Sequence, residues 1–144
     1  MKKFIFILFF SLSVKAQIGE NVQRELNEIL LIKNSKEISH SSSLATLKKK
    51  YGKSSLVYLA KFFDIPTKTN VYSDCHDRFL TKGEIAIIIA DQIDRMPYFE
   101  LTGIQNCTLT FCDGNTNLVE YYFSYLKSYN EFQRKYYQYL KSVD

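Results

Sequence analysis

Thr81 and Glu84 stand three residues apart, directly ahead of the unbroken apolar run Ile85 to Ala90. A threonine and a glutamate at that spacing make a capping box, in which each side chain pairs with the other's backbone N–H at the start of a helix. The run behind it has no polar face. The helix it begins must therefore be contacted on several sides and lie near the centre of whatever the chain folds into. Ile85, Ile87, Ile88 and Ile89 also suit a buried strand. The cap and the continuation Asp91-Gln92-Ile93-Asp94-Arg95 make the element too long for one, and they predict a helix. Pro97 ends it or opens the next.

Other segments read as helices that pack on this one. Ile18, Val22, Leu26, Ile29 and Leu30 line one face of an amphipathic helix. Residues 35–43 read as a polar linker. Ser43 is placed to cap a second helix, with Leu44, Leu47 and Tyr51 inward and Gly52 as its stop. Ser54 or Ser55 caps a third, striped by Leu56, Leu59, Ala60 and Phe63 and closed at Ile65-Pro66. Residues 66–80 read as irregular. Residues 98–112 carry both a helical spacing (Leu101, Ile104, Thr108, Phe111) and an alternation; helix is the reading taken. Towards the end, Leu118, Tyr122, Tyr125, Tyr129, Phe132, Tyr136, Tyr139 and Val143 recur at alternating spacings of four and three, an apolar heptad. One continuous helix there would run on the order of 40 Å. It must either project or break near Ser128-Tyr129-Asn130 into a hairpin. Five glycines and two prolines argue against a turn-rich β-sandwich. The expected fold is all-α: a small bundle of five or six helices with one disulfide and a long aromatic C-terminal helix or helical hairpin.

The N-terminus has a separate logic. Lys2 and Lys3 precede an apolar stretch from Phe4 to Leu12, and Val14 and Ala16 are small residues ahead of Gln17. This is the pattern of a secretory signal peptide over residues 1–16, cleaved before Gln17, with 17–144 as a single helical domain. The stretch is too short to span a bilayer. No cysteine follows the cleavage point to carry a lipid, so no stable membrane anchor is expected. The expected location is periplasmic or extracellular.

Lys2, Lys3 and Lys15 belong to the leader, so the remaining chain balances sixteen basic against fifteen acidic side chains. Near-neutrality gives no electrostatic case for nucleic acid. Lys48-Lys49-Lys50 with Lys53 reads as the cationic end of a helix.

Outside the cytosol, Cys75, Cys107 and Cys112 are the disulfide candidates, with one pair formed and one thiol left over. Pairing Cys75 with Cys107 or Cys112 would pin the 66–80 segment and contribute roughly 3–4 kcal/mol. Asp74-Cys75-His76-Asp77 suggests a Cys–His nucleophile, but adjacent residues rarely present side chains to each other, and a disulfide at Cys75 would remove the thiolate. The spacing matches no zinc pattern. Asp113-Gly114-Asn115-Thr116-Asn117 begins like a calcium loop, yet Leu118 and Ser124 stand where glycine and glutamate are needed. It reads as a turn. Asn106-Cys107-Thr108 matches a glycosylation sequon. No metal or other cofactor is expected.

The surplus of aromatic rings remains. Tyr121, Phe123 and Tyr137 lie off the heptad stripe, and not all the rings can face one core. Tyrosine is enriched where proteins recognise one another. The expectation is an exported, non-enzymatic binding protein, an inhibitor or immunity-type protein, that meets a protein partner through Tyr121, Phe123, Tyr136 and Tyr137. A thiol-dependent enzyme or redox protein using residues 74–77 is one alternative. A structural envelope protein, homodimeric through the heptad stripe, is the other.

Overall fold

A computed structural model describes residues 2–105, 112 and 114–143, with side chains from residue 16 onward. Its centre is the helix predicted from the capping box, α4 (Lys82–Ile93). Thr81 Oγ1 accepts from the Glu84 amide at 3.1 Å and Glu84 Oε2 accepts from the Thr81 amide at 2.8 Å, so both halves of the box form. Every residue from Gly83 to Ala90 is buried.

Of the preceding elements, Ser35–His40, residues 56–62 and Arg78–Thr81 pack on this helix, and Lys2–Ile29 and Ser42–Thr46 pack outside them. α1 (Lys2–Ile29) runs without a break across Ala16–Gln17 and buries Val22, Leu26 and Ile29, the stripe read from the sequence. The supposed linker is instead a 3-10 helix, Ser35–His40, capped by Asn34. Ser41, not Ser43, caps α2 (Ser42–Thr46), its Oγ accepting from the Leu44 amide at 3.2 Å. A π-helical turn, Leu47–Tyr51, carries Lys48, Lys49 and Lys50 outward, and the chain stops at Gly52 with φ +50°. After a 3-10 turn comes α3 (Leu56–Leu59), continued in 3-10 form through Phe62, with Leu56, Leu59, Ala60 and Phe63 buried as expected.

The all-α expectation fails at residues 66–80, so the fold is mixed, mostly helical with a small sheet. β1 (Lys68–Ser73) and β2 (Arg78–Thr81) form an antiparallel hairpin, with Tyr72 opposite Phe79 and Ser73 opposite Arg78. Val71, Ser73 and Leu80 point into the core. The hairpin escaped the sequence reading because one of its inward residues is a serine and its turn has no glycine. Asp77 adopts φ +50°, a conformation aspartate tolerates through local hydrogen bonding, and its carboxylate accepts from the Tyr72 hydroxyl. The Tyr72 amide also donates to Lys33 O at 2.8 Å, joining the hairpin to the chain after α1.

Beyond α4 lie α5 (Tyr98–Thr102), closed by Gly103 with φ +71°, then α6 (Glu120–Phe123) and α7 (Tyr129–Val143). The heptad is thus broken. The chain leaves the helix after Phe123, and Ser128 Oγ accepts from the Glu131 amide at 3.2 Å to cap α7. Phe132 and Tyr136 pack on Phe63 at ring distances of 6.0 and 5.1 Å.

Glu84 does more than cap. Arg78 grips it with two hydrogen bonds, of 2.8 and 2.6 Å, and the Tyr129 hydroxyl donates at 2.6 Å, so one carboxylate joins β2, α4 and α7. Burial alone would raise its pKa. The Arg78 fork, the tyrosine and the Thr81 amide outweigh that and hold it below the ordinary value. A lowered folded pKa means stability that is complete above the ordinary glutamate pKa near 4.5 and lost as the pH falls through the lower folded value. Glu84→Gln should therefore be less stable than wild type at neutral pH, and the gap should narrow below about pH 4. Urea titrations at a series of pH values measure it. Asp91, whose pKa is raised, first by burial, acts in the opposite sense but is common to both proteins.

Candidate functional site

The site is built from α5, α6 and the residues just before α6. Cys75, in the hairpin turn, is bonded to Cys112, with Cα atoms 5.6 Å apart. The bond closes a loop with a separation of 37 residues, a constraint contributing about 4 kcal/mol in the chain-entropy model. Cys107, the sequon and the calcium-like Asp113 lie outside the described residues.

Beside the disulfide is a buried carboxylate, Glu120, with no solvent exposure. The Ser73 hydroxyl donates to one of its oxygens. Asn115 and Asn117 donate to the other, at 3.1 and 3.2 Å. Asn117 also donates to Ser35 O at 2.8 Å and accepts from Gln92 Nε2 at 3.1 Å. A ring nitrogen of His76 lies 2.8 Å from Glu120 O, and the imidazole stacks on Phe123 at 6.0 Å. One cluster thus ties the hairpin, the first 3-10 helix and α4 to the first residue of α6. Buried polar groups satisfied this fully fix a local conformation, because any shift leaves a donor or acceptor unpaired in a dry environment.

What this cluster holds in place is a run of aromatic rings. Tyr98 of α5 stacks on Tyr122 of α6 at 4.6 Å. Tyr122 meets Tyr121 edge-on at 5.2 Å, and Tyr121 meets Tyr125 at 5.1 Å. Asp91 accepts from the Tyr98 hydroxyl at 2.7 Å and fixes the first ring. Burial, followed by the Asp91 charge, pushes the Tyr98 hydroxyl far above its usual pKa, so it stays a hydrogen-bond donor. The run ends in solvent: Tyr125 is 50 % exposed, and Phe99, next to Tyr98, is 64 % exposed. Two clefts flank it and share Ile104. One, of about 370 Å³, is lined by Pro97, Tyr98, Phe99 and Tyr122. The other, of about 430 Å³, is lined by Leu101, Tyr125, Phe132 and Lys135.

The four rings nominated from the sequence are not brought together. Tyr121 lies in the run. Phe123 packs behind it, buried against His76 and Tyr129. Tyr136 is buried against Phe63, and offers no surface to a partner. Tyr137 is half-buried in a separate groove of about 440 Å³ between α1, α3 and α7, with Ile18, Tyr58 and Leu140. Spacing along α7 puts Tyr136 on the apolar stripe and Tyr137 off it, and the packing of Tyr136 on Phe63 follows that spacing, so Tyr136 was the weaker choice for a surface residue. Tyr98, Phe99 and Tyr125 were missed as site residues. The signal for Phe99 was available, a phenylalanine directly after Pro97-Tyr98 in a segment with no settled apolar face. For Glu120, one acid between Val119 and Tyr121, there was no local signal.

No family model, no curated protein and no solved structure matches the chain.

Among the described residues, no helix is long and apolar enough to cross a membrane.

Proposed function

We propose that this chain is an exported, non-enzymatic binding protein that engages a protein partner through Phe99, Tyr125 and the rings between them, as an inhibitor or immunity-type protein would. The carrying observation is that both exposed rings are backed by fixed groups. Tyr125 follows α6, which the Glu120 cluster and the disulfide hold from behind, and Phe99 adjoins Tyr98, which is bonded to Asp91 and stacked on Tyr122. Rigid aromatic side chains in place before binding lose little entropy when a partner covers them, which is why such residues dominate recognition surfaces. The leader-like residues 1–16 and the disulfide both suit an oxidising compartment. The thiol-enzyme alternative loses support because Cys75 is bonded to Cys112. The heptad-dimer alternative loses it because Phe132 and Tyr136 are taken up by the core.

The double variant Phe99→Ala/Tyr125→Ala tests the reading. Both rings are exposed, so thermal stability should change by less than about 1 kcal/mol. Binding of the partner should weaken by about 30-fold or more, the effect of losing at least one recognition hot spot. Unchanged binding with an unchanged melting curve would rule the surface out.

A further inference from the structure

We infer that Gln17 is a modification site: once residues 1–16 are removed, its new α-amine closes on its own side-chain amide to give a pyroglutamyl N-terminus. The inference rests on the export reading above, which places cleavage between Ala16 and Gln17.

In the structure Gln17 is exposed, while the residues behind it are held. Ile18 packs against the core and lines the groove shared with Tyr58 and Leu140. Gly19 lies so close to Tyr58 that a Cβ on it would meet the ring at 3.0 Å. Val22 is fully buried one turn later. The helix that remains after cleavage, residues 17–29, is thus anchored from its second residue, with Gln17 at its exposed tip.

That tip is an unfavourable place for a cation. The first turn of a helix leaves backbone N–H groups unpaired and carries a partial positive charge. An α-ammonium there is destabilised relative to the neutral amine, and an α-amine ordinarily titrates at only about 7.7–8.0. Glu20, exposed in the first turn, offsets part of this effect without removing it. A fraction of the amine is therefore neutral and nucleophilic near neutral pH, and the side-chain carboxamide of the same residue lies one five-membered ring away. The α-nitrogen attacks Cδ and a new C–N bond forms. The bond from Cδ to Nε2 breaks, and the amide nitrogen leaves as ammonia, taking the proton that the amine gives up. No oxidant or second reactant is needed. The product is a neutral lactam at the positive end of the helix, with no free amine for an aminopeptidase to grip.

Intact mass spectrometry of the exported protein, with amine labelling and a tryptic map of its N-terminal peptide, tests this. The expected chain begins at residue 17, is lighter by one ammonia, and takes no label at its N-terminus. A chain that begins at Gln17 with full mass and a labelled amine overturns the inference and leaves the export reading standing. A chain that retains residues 1–16, or begins elsewhere, overturns the cleavage assignment and the inference with it. The Gln17→Ala variant, which cannot cyclise, should begin at residue 17 with full mass and a labelled amine. If Gln17→Ala also lacks one ammonia, the loss occurs at another residue and the inference fails.

Discussion

Gly83→Ala should destabilise the protein by about 3–5 kcal/mol, among the largest effects expected of any single change in this chain. A Cβ on Gly83 would lie 2.3 Å from Phe63 O, 2.9 Å from Phe63 C and 3.1 Å from Ile65 O. These are backbone atoms at the end of the α3 segment, so no rotamer change relieves the overlap. The Gly83 amide also donates to Ile65 O at 3.1 Å, which holds the two backbones at this separation. To admit one methyl group, α4 would have to back away from the Phe63 end of α3, disturbing the centre of the core. With a total stability of about 5–15 kcal/mol typical of such domains, the variant should be marginal. Urea denaturation reads the loss as a lower midpoint at unchanged slope. A loss under about 1 kcal/mol would mean that the approach of α4 to Phe63 is looser than described.

Glu120→Ala should cost about 3 kcal/mol or more, since two buried donors and one part-buried donor lose their acceptor. The donors are Ser73, Asn115 and Asn117, reaching in from the hairpin and from the residues before α6. Glu120→Gln keeps the shape and one acceptor oxygen but places an NH2 group against existing donors, so an intermediate loss is expected. The discriminating readout is local. In Glu120→Gln, amide exchange should quicken for residues 115–125 ahead of the rest of the chain, because the cluster fixes that segment rather than the α4 core. Uniform quickening would mean that Glu120 supports the whole fold and not the aromatic run in particular. In either variant partner binding should weaken, although no ring is removed.

Much of the scaffold was legible because it depends on neighbours in sequence. The capping box at Thr81 and Glu84, the Ile85–Ala90 run and the Val22, Leu26, Ile29 face are short-range patterns, and each reappears as built. What was not legible depends on contacts remote in sequence. The hairpin's inward Ser73 makes sense only opposite Glu120, a residue 47 positions away. Asn117 reads as a turn residue until its bond to Ser35, 82 positions away, is known. The heptad from Leu118 to Val143 is real as spacing, but Ser124 to Ser128 can leave the helix because Phe123 and Phe132 each find separate partners, His76 and Phe63. The candidate site was only partly visible for the same reason. Aromatic surplus drew attention to the C-terminal third, and Tyr121 lies in the run of rings found there. Phe99 and Tyr98 join only through α5, and the clefts on either side exist only once α5, α6 and α7 are docked.

The central claim is that the surface around Phe99 and Tyr125 is where this protein meets a protein partner. The most direct measurement is a paired capture from the cells that make the chain. It compares tagged wild type, Phe99→Ala/Tyr125→Ala, and Leu31→Ala, whose 76 % exposed apolar side chain lies outside both clefts. The account predicts one stoichiometric protein recovered with wild type and with Leu31→Ala, and lost with the aromatic double variant at matched folding. A partner recovered equally with all three proteins, or with none of them, would contradict it.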